Sequence, residues 1–385
     1  MNDNRWTDEF LDRMRIMGDA EADACYASIK EDEEIDEIDL IFRKMNSNDA
    51  VPGARLFPTL SDFFARTHTL PPGTDFDRIN RGEEIFRKHS FEHALVLLMK
   101  GLPEGYAAPN LSIILNISGD LRVHPYKRLL STLQAVINVS SAGGFQNGGR
   151  AVITAQKLRL LHSGVRALTR RYRPEFEAKY GVPSNLEDML GTIMGFSHLV
   201  ILGMRALHIK LTPQEEEDLL YVWRIFAIMM GIHPPGEPYN FIFIPDDVFD
   251  AGRFYEAYAR RHYVPAEQNP DGVKLADANL RMMEHFVPKP LRWLGAGALP
   301  RLYMTELMDI EMCARIGLTP ILGRKTIKKI LSSVHRVTHH RKKHEKHDDR
   351  RFAMILFQDL IDISRSGEVT FTVPQSLQDM IAMAK

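Results

Sequence analysis

The chain has 385 residues, enough for one large domain or two ordinary ones and for a core that needs no covalent staples. Its 49 basic and 50 acidic side chains leave a formal net charge of -1, so no global field recruits nucleic acid or an anionic membrane. Two cysteines, Cys25 and Cys313, fit no CxxC or Cys/His ligand spacing, which argues against a zinc motif or disulfide framework and for a reducing compartment.

The N-terminal stretch Met1 to Phe10 has no apolar signal region, and no apolar run reaches the ~20 residues that span a bilayer. The expectation is a soluble, cytoplasmic protein without a transmembrane segment. Residues 1–66 read as helical and polar, with Phe10, Met14 and Met17 along one apolar edge. The acidic run 31–40 keeps helical spacing at Ile35, Ile38 and Ile41 and reads as a solvated face. Leu70-Pro-Pro-Gly73 breaks the chain. From Asp77 to Lys100 an amphipathic stretch carries Ile79, Ile85 and Phe86. His89 and His93 lie one turn apart in it, a spacing that suits two metal ligands, but no third ligand is near. The segment Gly101-Leu-Pro-Glu-Gly-Tyr106 reads as a helix break, and Leu111 to Gly119 fits a strand by β-branched content and a helix by spacing.

Two central helices carry residues that an apolar face does not ordinarily hold. The first opens at His124-Pro125 and places Leu129, Leu133, Val136 and Ile137 on one face, with Arg128 and Thr132 one turn apart along its edge. A guanidinium beside an apolar stripe needs an anionic or hydrogen-bonding receiver, or must snorkel to water. The glycine-rich stretch 140–149 then lets the chain reverse. In the second helix Leu158, Leu161, Val165 and Leu168 recur at helical spacing, and His162 lies inside that stripe. Periodicity leaves two readings of His162 open, a core imidazole bonded to a carbonyl or a ligand.

Further on, an apolar helix from Ser184 to Ile209 carries His198, a rival ligand candidate. Thr212-Pro213-Gln-Glu215 is a capping box that opens a helix running to Gly231. Helices are also expected from Asp247 through Phe254, over Leu275–His285 and over Met304–Ile316, the last holding Cys313. The basic, histidine-rich run 335–347 reads as solvated linker or exposed helix. A last helix over 352–363 and a strand-like 369–373 end the chain.

Across most of residues 10 to 320, motifs recur in an order and spacing that resembles the latex-clearing-protein (rubber oxygenase) and MpaB-like oxygenase family. They include Met17-Gly-Asp19-Ala-Glu21-Ala-Asp23, Phe63-Phe64, Ile79-Asn-Arg-Gly82, Leu102-Pro-Glu-Gly-Tyr106, Arg128-Leu-Leu-Ser131-Thr132, Gly148-Gly149, Leu158-Arg159-Leu-Leu-His162-Ser-Gly-Val-Arg166, Thr212-Pro213 and Trp223-Arg224. The resemblance implies that His162 is the proximal ligand of a haem b iron and that Arg128 and Thr132 shape the catalytic pocket. Arg128, Arg159 and Arg166 become candidates to bind the cofactor's propionates, the last two equally for surface pairs. Ser131 stands where some rubber oxygenases carry a distal lysine, which implies an open or water-filled distal site.

The implied fold is all-α, a single large helical domain with a globin-like haem-binding core. Residues 1–66 would pack on that core, 67–325 would form it, and 326–385 would add the basic segment and a C-terminal helix. The implied function is a haem b-dependent oxygenase taking O2 and a hydrophobic, isoprenoid or lipid, alkene, with no nucleic-acid partner. Alternatives are a haem sensor or carrier without turnover and a cofactor-free helical interaction protein.

Overall fold

The structure, a computed structural model, describes residues 5–32, 58–117, 125–146, 148–287 and 296–320. Within them the α and β alternatives resolve in one direction, since no strand occurs and the fold is all-α. In chain order the α-helices are α1 (Asp8–Arg15), α2 (Ala20–Asp32), α3 (Pro58–Thr67), α4 (Phe76–Lys88), α5 (Ser90–Val96), α6 (Leu102–Gly105), α7 (Pro109–Ile117), α8 (Pro125–Ser140) and α9 (Arg150–Tyr172). They continue with α10 (Phe176–Tyr180), α11 (Leu186–Phe196), α12 (His198–Ala206), α13 (Pro213–Met229), α14 (Val248–His262), α15 (Pro270–Phe286), α16 (Leu299–Leu307) and α17 (Ile310–Arg315).

Local chemistry explains where many of them begin. The side chains of Thr7, Asp75, Asn185, Asp247 and Asn269 each accept a hydrogen bond from a backbone N–H in the first turn of the helix they precede. At α13 both halves of the expected capping box form between Thr212 and Glu215. The segment from Leu111 is helix α7, because its spacing, and not its β-branched content, matches the face it packs.

Two expected boundaries move. The stretch from Gly101 stays helical to Gly105, since a π-helical turn over Leu97–Gly101 runs directly into α6; Pro103 brings no N–H to the turn, and the Leu98 carbonyl accepts instead from the Asn279 amide at 2.6 Å. Gly101 is there for a helix crossing, because a Cβ on it would lie 2.3 Å from the carbonyl oxygen of Gly195 in α11. The break falls earlier, at His89, whose N–H turns back to the carbonyls of Ile85 and Phe86. Likewise the helix expected over Met304–Ile316 is divided at Met308, and Asp309 caps α17.

The core gathers around α9, α11 and α13, which supply Ala151, Ala155, Leu190, Ile193, Leu220 and Trp223 among many others. Helix α4 lies along α13, where Arg78 and Arg81 both reach the buried carboxylate of Asp218. The apolar stretch Leu186–Ala206, 21 residues with a mean hydropathy of 1.4, is longer than the expectation of no bilayer-length run allowed. Its window is 67% buried inside the fold, and the helix is interrupted at Ser197, so it serves as a core pair, α11 and α12. The acidic run 31–40 from residue 33 on, the histidine-rich run 335–347 and the expected elements at 352–363 and 369–373 lie outside the described residues.

Candidate active site

Helices α8 and α9 form a hairpin through the glycine-rich stretch. Gly143 and Gly148 take left-handed backbone at φ 79° and 72°, and a Cβ at Gly149 would meet the Gly144 carbonyl oxygen at 2.3 Å. Asn138 near the end of α8 donates to Thr154 near the start of α9 at 3.1 Å, so the second helix returns alongside the first. Farther along, the pair opens onto a cavity of about 300 Å³, within the size of small-molecule and cofactor sites.

Ser131 and Thr132 of α8 and Leu158, Leu161, His162 and Val165 of α9 line this cavity. Phe196 and Trp223, stacked with centroids 5.2 Å apart, form part of its apolar wall. The α9 stripe read from the sequence therefore faces an open volume, which is why Leu158, Leu161 and His162 are only half-buried. His162 and Thr132 are thus brought to one cavity. The side chain of Arg128 lies outside the described residues, although its backbone belongs to α8.

Arg159 and Arg166 sit elsewhere: the structure corrects the expected surface pairs to buried ones and sets both arginines away from the cavity lining. Neither lines the cavity; their side chains are 4% and 0% exposed, on the face of α9 adjoining the one that carries His162. There the first turns of the chain seal them. Arg159 donates from Nε and Nη2 to the two carboxylate oxygens of Asp19 at 2.6 and 2.9 Å and to Glu21 at 2.8 Å, while its guanidinium lies 5.3 Å over the Phe63 ring. Arg166 Nε and the Ser163 hydroxyl both donate to Asp23 Oδ1, at 2.8 and 2.6 Å. Burial by itself would raise the pKa of Asp19; the charge and hydrogen bonds of Arg159, with Arg166 behind it, more than offset that and hold the carboxyl below its usual 3.8. A side chain at Gly231, where φ is 82°, would come within 2.8 Å of Asp19 Oδ2, so this clamp needs a glycine. The physical reason for the correction is competition: acids fixed in the fold already satisfy these guanidiniums.

The other histidines have different surroundings. His198 starts α12, does not line the cavity, and packs its ring 6.0 Å from that of Tyr255; burial, then the charges of Arg205 and Lys100, push its pKa down to about 4. His93 stacks edge-on against Phe86, and burial, helped by His89, lowers its pKa to about 3. No three residues among His, Cys, Asp and Glu converge on a metal site among the described residues. His162 is the one imidazole among the described residues lining the cavity, with no cysteine or second histidine beside it, so an iron held by it would have to bring other ligands with it. That fits a flat, apolar porphyrin better than a free metal ion.

Sequence reading missed the polar residues on the far wall. Asn110 of α7, Asp188 of α11 and Tyr258 of α14 line the same cavity and bond to one another. In the sequence, Asn185-Leu-Glu-Asp188 looks like an ordinary helix cap with acids in the first turn, a pattern that gives no sign of burial.

The family described as "ER-bound oxygenase mpaB/B'/Rubber oxygenase, catalytic domain" matches residues 93–338. A rubber oxygenase of Streptomyces sp. (strain K30) is 24% identical over 221 residues, 56% of this chain and 53% of the relative, so the match spans about half of that protein. The solved structure of latex clearing protein LCP in the closed state superposes with a TM-score of 0.69 at 18% identity over 84% of each chain, which shows a shared fold. With a family match over more than half its length and the same helical fold, the chain belongs to the MpaB and rubber-oxygenase catalytic-domain family.

Proposed function

We propose that this protein is a haem b-dependent oxygenase that takes O2 and a hydrophobic alkene, isoprenoid or lipid, as substrate. The observation that carries the reading is His162, which reaches from an otherwise apolar helix stripe into an apolar cavity shared with Thr132, in a chain of an oxygenase family. His162 would hold the iron as a neutral imidazole. When bound, the haem supplies the redox chemistry of oxygen activation. The chain's own residues supply the surroundings. Leu161, Val165, Phe196 and Trp223 exclude water and orient an apolar substrate, and the hydroxyls of Thr132 and Ser131 offer hydrogen bonds beside the reacting region. Ser131 is too weak a donor to compete for iron, so substrate and O2 have access where a distal lysine would stand. In this reading Arg159 and Arg166 have no contact with the cofactor; they fix the rotation of α9 and so aim His162.

An absorption spectrum of the full chain expressed with a haem precursor, beside His162→Ala, tests the reading. A Soret band in the wild type and its loss in the variant are the expected result, followed by O2 uptake on addition of unsaturated lipids or isoprenoids. A wild type that stays colourless after haem supplementation overturns the cofactor. A band without O2 uptake on any such alkene keeps the haem and overturns the oxygenase turnover.

A further inference from the structure

The cavity has a second polar region. Asn110, Asp188 and Tyr258 come from α7, α11 and α14, and their exposures are 1%, 2% and 1%. The Tyr258 hydroxyl donates to Asp188 Oδ1 at 3.2 Å, and the Asn110 amide donates to the same oxygen and lies 3.3 Å from the Tyr258 oxygen. Asn185 donates to the other oxygen, Oδ2, at 3.0 Å. The Tyr258 ring is seated by Gly191 of α11, since a Cβ there would lie 2.7 Å from its Cζ. Donors from separate elements are thus aimed at one carboxyl beside an apolar cavity.

The cost of burying a carboxyl falls when hydrogen bonds satisfy it, and these do. A tie that merely joined three helices would serve as well in a closed core, yet all three residues stand on the cavity wall. Among the described residues lining the cavity there is no lysine or arginine. An anionic head group would therefore meet a carboxyl with no cation between them, and a plain hydrocarbon would leave the remaining lone pair of Asp188 Oδ2 without a donor. A hydroxyl avoids both penalties. It donates to the remaining lone pair of Asp188 Oδ2 when the carboxyl is ionised, and accepts from Asp188 when the carboxyl is protonated. Burial pushes the Asp188 pKa up to about 6 against the opposing charge of His262, so both forms of the carboxyl are within reach near neutrality.

We propose that Asp188, Tyr258 and Asn110 form a head-group subsite for the neutral hydroxyl end of an otherwise apolar substrate, whose chain extends along the cavity that His162 lines. The inference rests on the reading of this cavity as a hydrophobic substrate site. It makes a long-chain or isoprenoid alcohol a better ligand than the hydrocarbon or the carboxylate of the same length.

The test is calorimetric titration of the full chain with 1-decanol, 1-decene and decanoate, repeated on Tyr258→Phe and Asp188→Asn, with helical circular dichroism to verify folding. Decanol is expected to bind at least about tenfold more tightly than decene, about 1.4 kcal/mol, and more tightly than decanoate at pH 8. In each variant the preference for decanol over decene should shrink to about threefold or less while decene affinity holds. Equal binding of decene and decanol by the wild type, or a preference that survives both substitutions, overturns the subsite while leaving the hydrophobic cavity intact. Failure of all three probes to bind overturns the substrate cavity itself and the subsite with it. The Soret test of His162 is independent of either result.

Discussion

The two faces of α9 differ in the opposite sense to what hydrophobicity predicts. The face carrying Leu158, Leu161 and His162 is half-buried, whereas the face carrying Arg159, Ser163 and Arg166 is sealed. The charged face is sealed because the Asp19–Asp23 segment meets it with matched carboxylates; the apolar face is open because it borders a volume of ligand size. The lesson is that side chains bordering an open volume are less buried than the ion-paired ones on the adjoining face. One face is built for binding and the other for rigidity, and substitutions should separate the two.

The largest effect expected is on His162. His162→Ala should abolish the haem absorption band while changing the unfolding free energy of the cofactor-free protein by less than about 1 kcal/mol, read from urea titration. The reverse holds on the charged face. Asp19→Ala leaves Arg159 buried without its principal partner and should destabilise the fold by about 3–5 kcal/mol, and Asp19→Ala with Arg159→Met should recover much of that loss in the same titration. If Asp19→Ala unfolds no more easily than the wild type, the clamp is not what holds α9.

Acidity distinguishes the acid of the clamp from the acid of the cavity. The folded pKa of Asp19 lies below its usual 3.8, so its contribution to stability is fully present above 3.8 and lost as pH falls through the folded value. Asp188 runs the other way. Its pKa rises from 3.8 to about 6 in the folded chain, so it withdraws stability as pH rises through that window, with a slope of at most about 1.4 kcal/mol per pH unit. Denaturation of Asp188→Asn between these two pH values should lack that slope; an unchanged slope would assign it to another group. The smallest effect belongs to Ser163→Ala, which removes one hydrogen bond to Asp23 and should cost about 1 kcal/mol with the haem band intact.

The helical stripe of α9, the position of His162 within it, the α8–α9 reversal and the α13 capping box were legible in the sequence, because each rests on contacts between residues close in the chain. Thr132 was placed on the right helix edge for the same reason, and it reaches the same cavity as His162. The break at His89 and the helical continuity through Gly101 were not legible, since they depend on how closely α11 crosses there. The destination of Arg159 and Arg166 was not legible either: their acidic partners lie 140 and 143 residues away, and local spacing treats a charge on a helix as bound for solvent or ligand. Asp188 looked like a first-turn acid until α7 and α14 enclosed it.

By itself the sequence determined most helix positions and the face that carries His162, since these follow from periodicity and capping within a few turns, while its family motifs implied the all-α class. Tertiary structure alone decided which face stays open, which charges pair inside the fold and where a buried carboxyl meets the cavity, because burial is set by neighbours distant in the chain.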